Sequence, residues 1–262
     1  MDEGSDGHEP ETRGFAERLA AVRSRIAAAC VRSGRDPGEV RLLPISKTVP
    51  VERLRMAIAA GMPALGENKV QEAKTKAEAL RDLSVSWSIV GHLQTNKARD
   101  AARFAAEFQA LDSLRIAEAL ERRLEIEGRT LDVLVQVNTS GEESKFGLAP
   151  EDVAGFVCEL PAFSRLRIGG LMTLAVFSAE EERVRRCFRL LRDIRERLRQ
   201  EGPVGLAFDA LSMGMSGDFE IAIEEGATVV RVGQAIFGAR PTSDAHYWPG
   251  AAGTGGPGTA GA

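Results

Sequence analysis

Between Val40 and Val232 the sequence repeats one pattern eight times: a short apolar run, a turn, then a stretch with helical or turn character. The apolar runs are Val40–Ile45, Pro63–Leu65, Val85–Val90, Phe108–Leu111, Leu131–Val137, Leu166–Met172, Phe208–Leu211 and Thr228–Val232. Leu131–Val137, LDVLVQV, is nearly all apolar, as a strand covered on both faces must be. Helices are predicted over Val51–Ala60, Val70–Arg81, Lys97–Ala105, Leu114–Glu127 (capped by Ser113), Glu151–Leu160 and Glu180–Gln200. Another is opened by Ser216 and Asp218 and ends near Glu225. Strands alternating with helices over short connections predict a parallel α/β sheet, and eight units fit one closed (β/α)8 TIM barrel. A doubly wound open sheet is the alternative, but no GxGxxG follows the first strand.

The flanks add an extra helix and two tails. Phe15, Leu19, Val22, Ile26 and Ala29 keep helical spacing and predict a helix over Arg13–Ser33, ahead of the first strand. Residues 1–12 are acidic, with nothing to bury, and 242–262 are rich in Gly and Ala. Both are expected to be disordered, which leaves a single barrel domain over 13–241.

Bulk composition narrows the partners. Of 262 residues 44% are hydrophobic, so a large core can be buried, and the net charge of −4 argues against a nucleic-acid face. No apolar run approaches the ~20 residues of a membrane span, and the N-terminus has no apolar signal region, so a cytoplasmic protein is expected. Cys30, Cys158 and Cys187 are far apart with no metal-ligand spacing; no metal site is expected.

In a barrel all strand C-terminal ends face one mouth, where ligands bind. Collected there are Lys47, Glu67, Asn68, His92, Asp112, Asn138, Met172, Ser212–Ser216 and Arg231–Gln234. Lys47, in RLLPISKTVP, is a lysine where a buried strand gives way to a loop, an unusual place for a residue seldom buried. The last two loops, LSMGMSGDF and RVGQAIFG, carry small residues and helix starts, the chemistry of a phosphate cradle. A lysine beside a phosphate site suggests a phosphorylated aldehyde held as a Schiff base. Pyridoxal 5′-phosphate (PLP) and a sugar phosphate in an aldolase both meet that description. His92 at a strand end is a further candidate for proton transfer, and Lys145 for a second reactive amine. Asp112 and Asn138 are expected to organise the mouth by hydrogen bonds.

Taken together, ISKTVP, GENKVQEA, GHLQTNK, QVNTSGEESKFG, GGLMT, LSMGMSGDFEIAIEEGATVVRVGQAIFG and ARP resemble the YggS/PROSC family of PLP homeostasis proteins, over about Val40–Pro241. The resemblance implies an alanine-racemase-type barrel without the second β-domain of the racemases, binding PLP as cofactor. It implies that Lys47 forms the Schiff base and that Arg231 faces the pyridine nitrogen. Ser216, Gly233 and Gln234 would contact the phosphate with backbone help around Ser212 and Met213, and Asn68 would line the cofactor. It further implies a carrier or regulator that buffers or delivers PLP, with amino-acid pools affected and no robust turnover. Apo-forms of PLP-dependent enzymes are then the candidate partners, and a monomer is expected. A true racemase or lyase is the alternative. The sequence departs from the family pattern at Gln234, where a hydroxyl residue is usual. WSIVG replaces WHFIG, and GENK has a lysine where arginine is common.

Overall fold

The computed structural model describes residues 8–238, with side chains from position 11 onward. Eight strands alternate with helices. The strands are β1 (Arg41–Pro44), β2 (Ala64–Glu67), β3 (Ser86–Ile89), β4 (Glu107–Leu111), β5 (Leu131–Gln136), β6 (Leu166–Met172), β7 (Ala210–Ser212) and β8 (Val229–Val232). Helix α1 (His8–Arg32) precedes β1. The others are α2 (Val51–Ala59), α3 (Val70–Ala79), α4 (Ala98–Phe104), α5 (Leu114–Glu127), α6 (Val153–Glu159), α7 (Glu181–Glu201), α8 (Phe219–Glu224) and α9 (Gln234–Phe237).

Every strand pair is parallel, in the order β1-β8-β7-β6-β5-β4-β3-β2. Beyond the ends of the ladder an Ile45–Gly66 bridge joins β1 to β2, and Ser46 N–H donates to Gly66 O at 2.9 Å. The sheet is thus closed into the expected TIM barrel, and the closing contact lies one residue from Lys47. Among the described residues there is this one sheet and no second β-domain.

The strand bodies bury Leu43, Leu65, Ile89, Phe108, Val133, Val135, Leu171, Leu211, Val230 and Val232, and the helices cover them with Leu54, Leu120, Leu124, Phe188, Leu191 and Phe219. The second of the two glycines inside β6 has a steric cause. A Cβ on Gly170 would lie 2.0 Å from Ala210 O, so only glycine lets β6 and β7 approach.

Helix α1 lies against α2, α8 and α9. Its stripe of Phe15, Leu19, Val22, Ile26 and Ala29 is buried as the spacing predicts. Phe15 meets Phe237 edge-to-face at 5.8 Å, and Arg18 Nε donates to Ile236 O at 2.6 Å. Arg25 forms a two-bond fork on Glu220, each bond 2.9 Å. The additional helix therefore braces the two short helices that follow β7 and β8.

Three expectations need correction. Helix α1 begins at His8, inside the segment 1–12 expected to be disordered. Acidic residues in a first helical turn are favourable, and Glu11 is fixed by Arg53 Nε at 2.5 Å. Residues 1–7 and the tail 242–262 lie outside the described residues. Ser113 occupies the N-cap of α5, but its hydroxyl makes no capping bond; its carbonyl accepts from Ile116 and Ala117 N–H. Strand β2 extends to Glu67, past the predicted end at Leu65.

Candidate functional site

Lys47 follows the Ile45 bridge and is only 8% exposed. Its chain neighbours are held from α3 and β2. Lys76 Nζ lies 2.7 Å from each of Ser46 O, Glu67 Oε1 and Glu72 Oε1. Ser46 Oγ donates to Glu67 Oε1 at 2.6 Å, and Thr48 N–H donates to Glu72 Oε1 at 2.6 Å. Thr48 has φ +65°, a left-handed conformation that costs a β-branched residue of order 1–3 kcal/mol. Glu67 is fully buried, and its Oε2 has no hydrogen-bond partner. Burial pushes its carboxyl up to about 7, against the attraction of Lys76.

Arg231, on β8, points into the barrel and is 3% exposed. Its Nη1 donates to Ser212 Oγ and its Nη2 to Thr173 O, both at 2.7 Å. Ser212 Oγ in turn donates to Gln109 Oε1 at 2.6 Å, and Gln109 Nε2 to Glu107 Oε2 at 2.8 Å. Glu107 also accepts from Ser88 Oγ and Arg41 Nη2, each at 2.6 Å. Burial pushes the Arg231 guanidinium down to about 10, partly offset by Asp218 and Glu107, so it stays charged at neutral pH.

The strand register brings the remaining residues to the same end. Leu43 pairs with Arg231 and Pro44 with Val232, so the chain leaving β1 toward Lys47 runs beside the chain leaving β8. A Cβ on Gly233 would lie 3.0 Å from Ile45 O. Gly233 N–H donates to Ser216 Oγ at 3.3 Å, which joins the loops after β7 and β8. Gly214 has φ +90°, and a Cβ there would stand 2.6 Å from Ala222 Cβ and 2.8 Å from Phe219 Cα. Asp218 Oδ1 accepts from Met215 N–H at 2.5 Å and fixes the turn into α8, and its carboxyl is raised by burial. Met213 is buried with its N–H on Val229 O, and the Ser212 hydroxyl is bound to Arg231 and Gln109. Gln234 is exposed at the start of α9, and Asn68 is half-buried beyond β2. The Asn68 carbonyl would be 2.3 Å from a Cβ on Gly91, which packs the β2 and β3 ends together.

On the opposite rim His92 stacks on Phe146 with ring centres 4.0 Å apart, and its Nδ1 is 3.7 Å from Asp112 Oδ2. Burial raises the Asp112 carboxyl, with His92 opposing. Asn138 Nδ2 donates to Glu142 O at 2.9 Å and to Lys145 O at 3.2 Å, and so shapes the loop after β5. Lys145 Nζ donates to Ala175 O at 2.8 Å and pairs with Glu142. Among the described residues no cluster of metal-ligand type occurs.

Two groups of residues escape sequence reading: Glu72 and Lys76 outside Lys47, and Gln109 and Glu107 behind Arg231. Each left a trace. Glu72 and Lys76 stand four apart on one helix face, and Glu107 and Gln109 alternate in a strand and so share a face.

The model of the alanine racemase N-terminal domain family matches residues 18–241. The chain is 43% identical over 227 residues to a pyridoxal phosphate homeostasis protein of Aquifex aeolicus, covering 86% of this chain and 97% of the relative. It is 42% identical over 235 residues to a protein of that name from Escherichia coli K12, covering 87% and 98%. The chain belongs to the pyridoxal phosphate homeostasis protein family. Among solved structures, PipY of Synechococcus elongatus with PLP bound superposes with a TM-score of 0.76 at 35% identity, covering 86% of this chain and 100% of that one. A D-threonine aldolase from Filomicrobium marinum, at 19% identity and TM-score 0.68, shares the barrel fold. Family membership and the barrel agree with the resemblance read from ISKTVP, VRVG and the glycine-rich loops.

Proposed function

We propose that the protein holds PLP at the barrel mouth through a Schiff base to Lys47 and serves intracellular vitamin B6 homeostasis, buffering or delivering the cofactor. The observation that carries this reading is the β1–β8 pairing. It runs the chain leading to the buried Lys47 beside the Arg231 strand, with Ile45, two residues before Lys47, against Gly233, which meets Ser216. PLP supplies an aldehyde that an amine captures reversibly, together with a dianionic phosphate and a basic ring nitrogen. The residues fit all three. Lys47 is the lysine that follows β1 at the mouth, where its amine can meet an aldehyde. The Ser216–Gly233 junction is narrow and lined by small residues, suited to a phosphate. Arg231 presents a fixed cation that opposes protonation of a ring nitrogen beside it. Asn68 lines the cofactor, Ser212 holds Arg231, Met213 packs behind the loop, and Gln234 contributes its backbone at the turn.

A regulator rather than an enzyme is favoured by the names of the relatives and by Arg231, since an unprotonated ring is a weaker electron sink. The protein acts in the cytoplasm as a monomer, with PLP-dependent apo-enzymes as recipients. No described helix is long and apolar enough to cross a membrane. The test loads the protein with PLP, removes free cofactor, and adds a PLP-dependent apo-enzyme or a free amino acid. Reactivation of the apo-enzyme without sustained racemisation or cleavage of the amino acid is expected. Turnover at a catalytic rate would contradict the carrier reading.

A further inference from the structure

We propose that Lys76, with Glu67 and Glu72, is a positioning clamp for Lys47: it fastens the backbone on both sides of that residue and so presents the Lys47 amine to an incoming aldehyde. This rests on the reading of Lys47 as the tether. Lys76 is itself buried at 5% exposure, and its ammonium has three N–H donors. Three acceptors surround it at 2.7 Å: the carbonyl of Ser46, before Lys47, and the carboxylates of Glu67 and Glu72. Glu72 also accepts the N–H of Thr48, after Lys47, on the same oxygen. One ammonium thus ties residues 46 and 48 to α3 and to the end of β2.

The backbone between those ties is strained. Thr48 at φ +65° is the one non-glycine residue with positive φ among those described, and it adjoins Lys47. Such a conformation persists where its surroundings over-determine it, and clusters at ligand clamps. Here the surroundings are a carboxylate on the Thr48 N–H and the Thr48 hydroxyl on Lys47 O at 2.6 Å. The second oxygen of Glu67, buried without a partner, marks a cost the fold bears to keep a carboxylate here. A structural tie between α3 and β1 could be made with apolar residues at lower cost. The position beside Lys47 gives the polar arrangement a purpose.

The test compares the full-length protein with Lys76→Met and Glu72→Gln. Each is exposed to PLP and, separately, to phosphate-free pyridine-4-carboxaldehyde, and trapped with cyanoborohydride. Modification at each lysine is quantified by peptide mass mapping, below the unfolding temperature of each variant. Lys76→Met is expected to slow trapping at Lys47 about tenfold or more with both aldehydes. Glu72→Gln is expected to slow it about threefold, with the remaining lysines unchanged in both variants. If Lys76→Met does not fold, the Glu72→Gln result stands alone. Trapping at Lys47 at the wild-type rate in a folded variant overturns the proposal. A wild-type protein that traps both aldehydes at Lys47 with no preference for PLP would instead refute the PLP reading and leave the clamp intact.

Discussion

Arg231 Nη1 donates to Ser212 Oγ at 2.7 Å, and every further bond in that chain points the same way. Ser212 donates to Gln109, Gln109 donates to Glu107, and Ser88 and Arg41 converge on the same carboxylate. A cation at the mouth is connected through the barrel interior to an anion near the opposite end, with no donor reversed. Removing one link strands its neighbours. Ser212→Ala leaves a buried Arg231 N–H without its acceptor, and about 1–3 kcal/mol of stability should be lost. Urea denaturation measures this, and PLP affinity should fall in the same variant.

Gly214 tests the cradle. At φ +90°, with Ala222 and Phe219 within 3 Å of an added Cβ, Gly214→Ala must displace the start of α8. Thermal unfolding should show destabilisation of about 2 kcal/mol or more, since strain and overlap act together. Affinity for PLP should drop further than affinity for pyridoxal, because the displaced turn carries Ser216.

Glu67 predicts a pH dependence. Its folded value, about 7, lies above the ordinary 4.5 because of burial, with Lys76 and Ser46 opposing and Glu72 adding to the rise. Between those values the native state holds more protons than the unfolded state at this site. The group therefore makes stability fall as pH rises through about 4.5 to 7, by at most about 3 kcal/mol, and stay level above. Glu67→Gln should remove this slope when the two proteins are compared by denaturant titration across that range. An unchanged slope would show that Glu67 titrates alike in the folded and unfolded chain.

Helix α1 should matter to the whole barrel. Phe15 is fully buried against Phe237, so Phe15→Ala should cost about 3–5 kcal/mol. Calorimetry reads that loss directly.

The sequence made the scaffold legible where pattern is strong. Leu166–Met172 and Leu114–Glu127 form the predicted elements at the predicted bounds, because a largely apolar run and a helical period leave little freedom. The end of β2 was misread because Gly66 and Glu67 look like a turn. Burial of Glu67 is tolerated only because Ser46 and Lys76 bond to it, and those partners come from distant segments. Lys47, Arg231, Ser216 and Gly233 were visible as strand-end residues. The Ser212 hydroxyl faces inward to Arg231, since strand alternation directs it to the barrel interior, and the loop pattern of the sequence does not reveal that bond. Gln109 and Glu107 alternate with apolar residues in β4, a sign of one polar face that becomes meaningful only once the barrel closes.

The central claim is that Lys47 tethers PLP. The most direct measurement is visible absorbance during titration of wild type and Lys47→Ala with PLP, followed by borohydride reduction and mass mapping. The wild type should develop a yellow band and, on reduction, carry one phosphopyridoxyl group at Lys47, while Lys47→Ala develops no such band. A band of equal strength in Lys47→Ala, or reduction that labels another lysine in the wild type, would contradict the account.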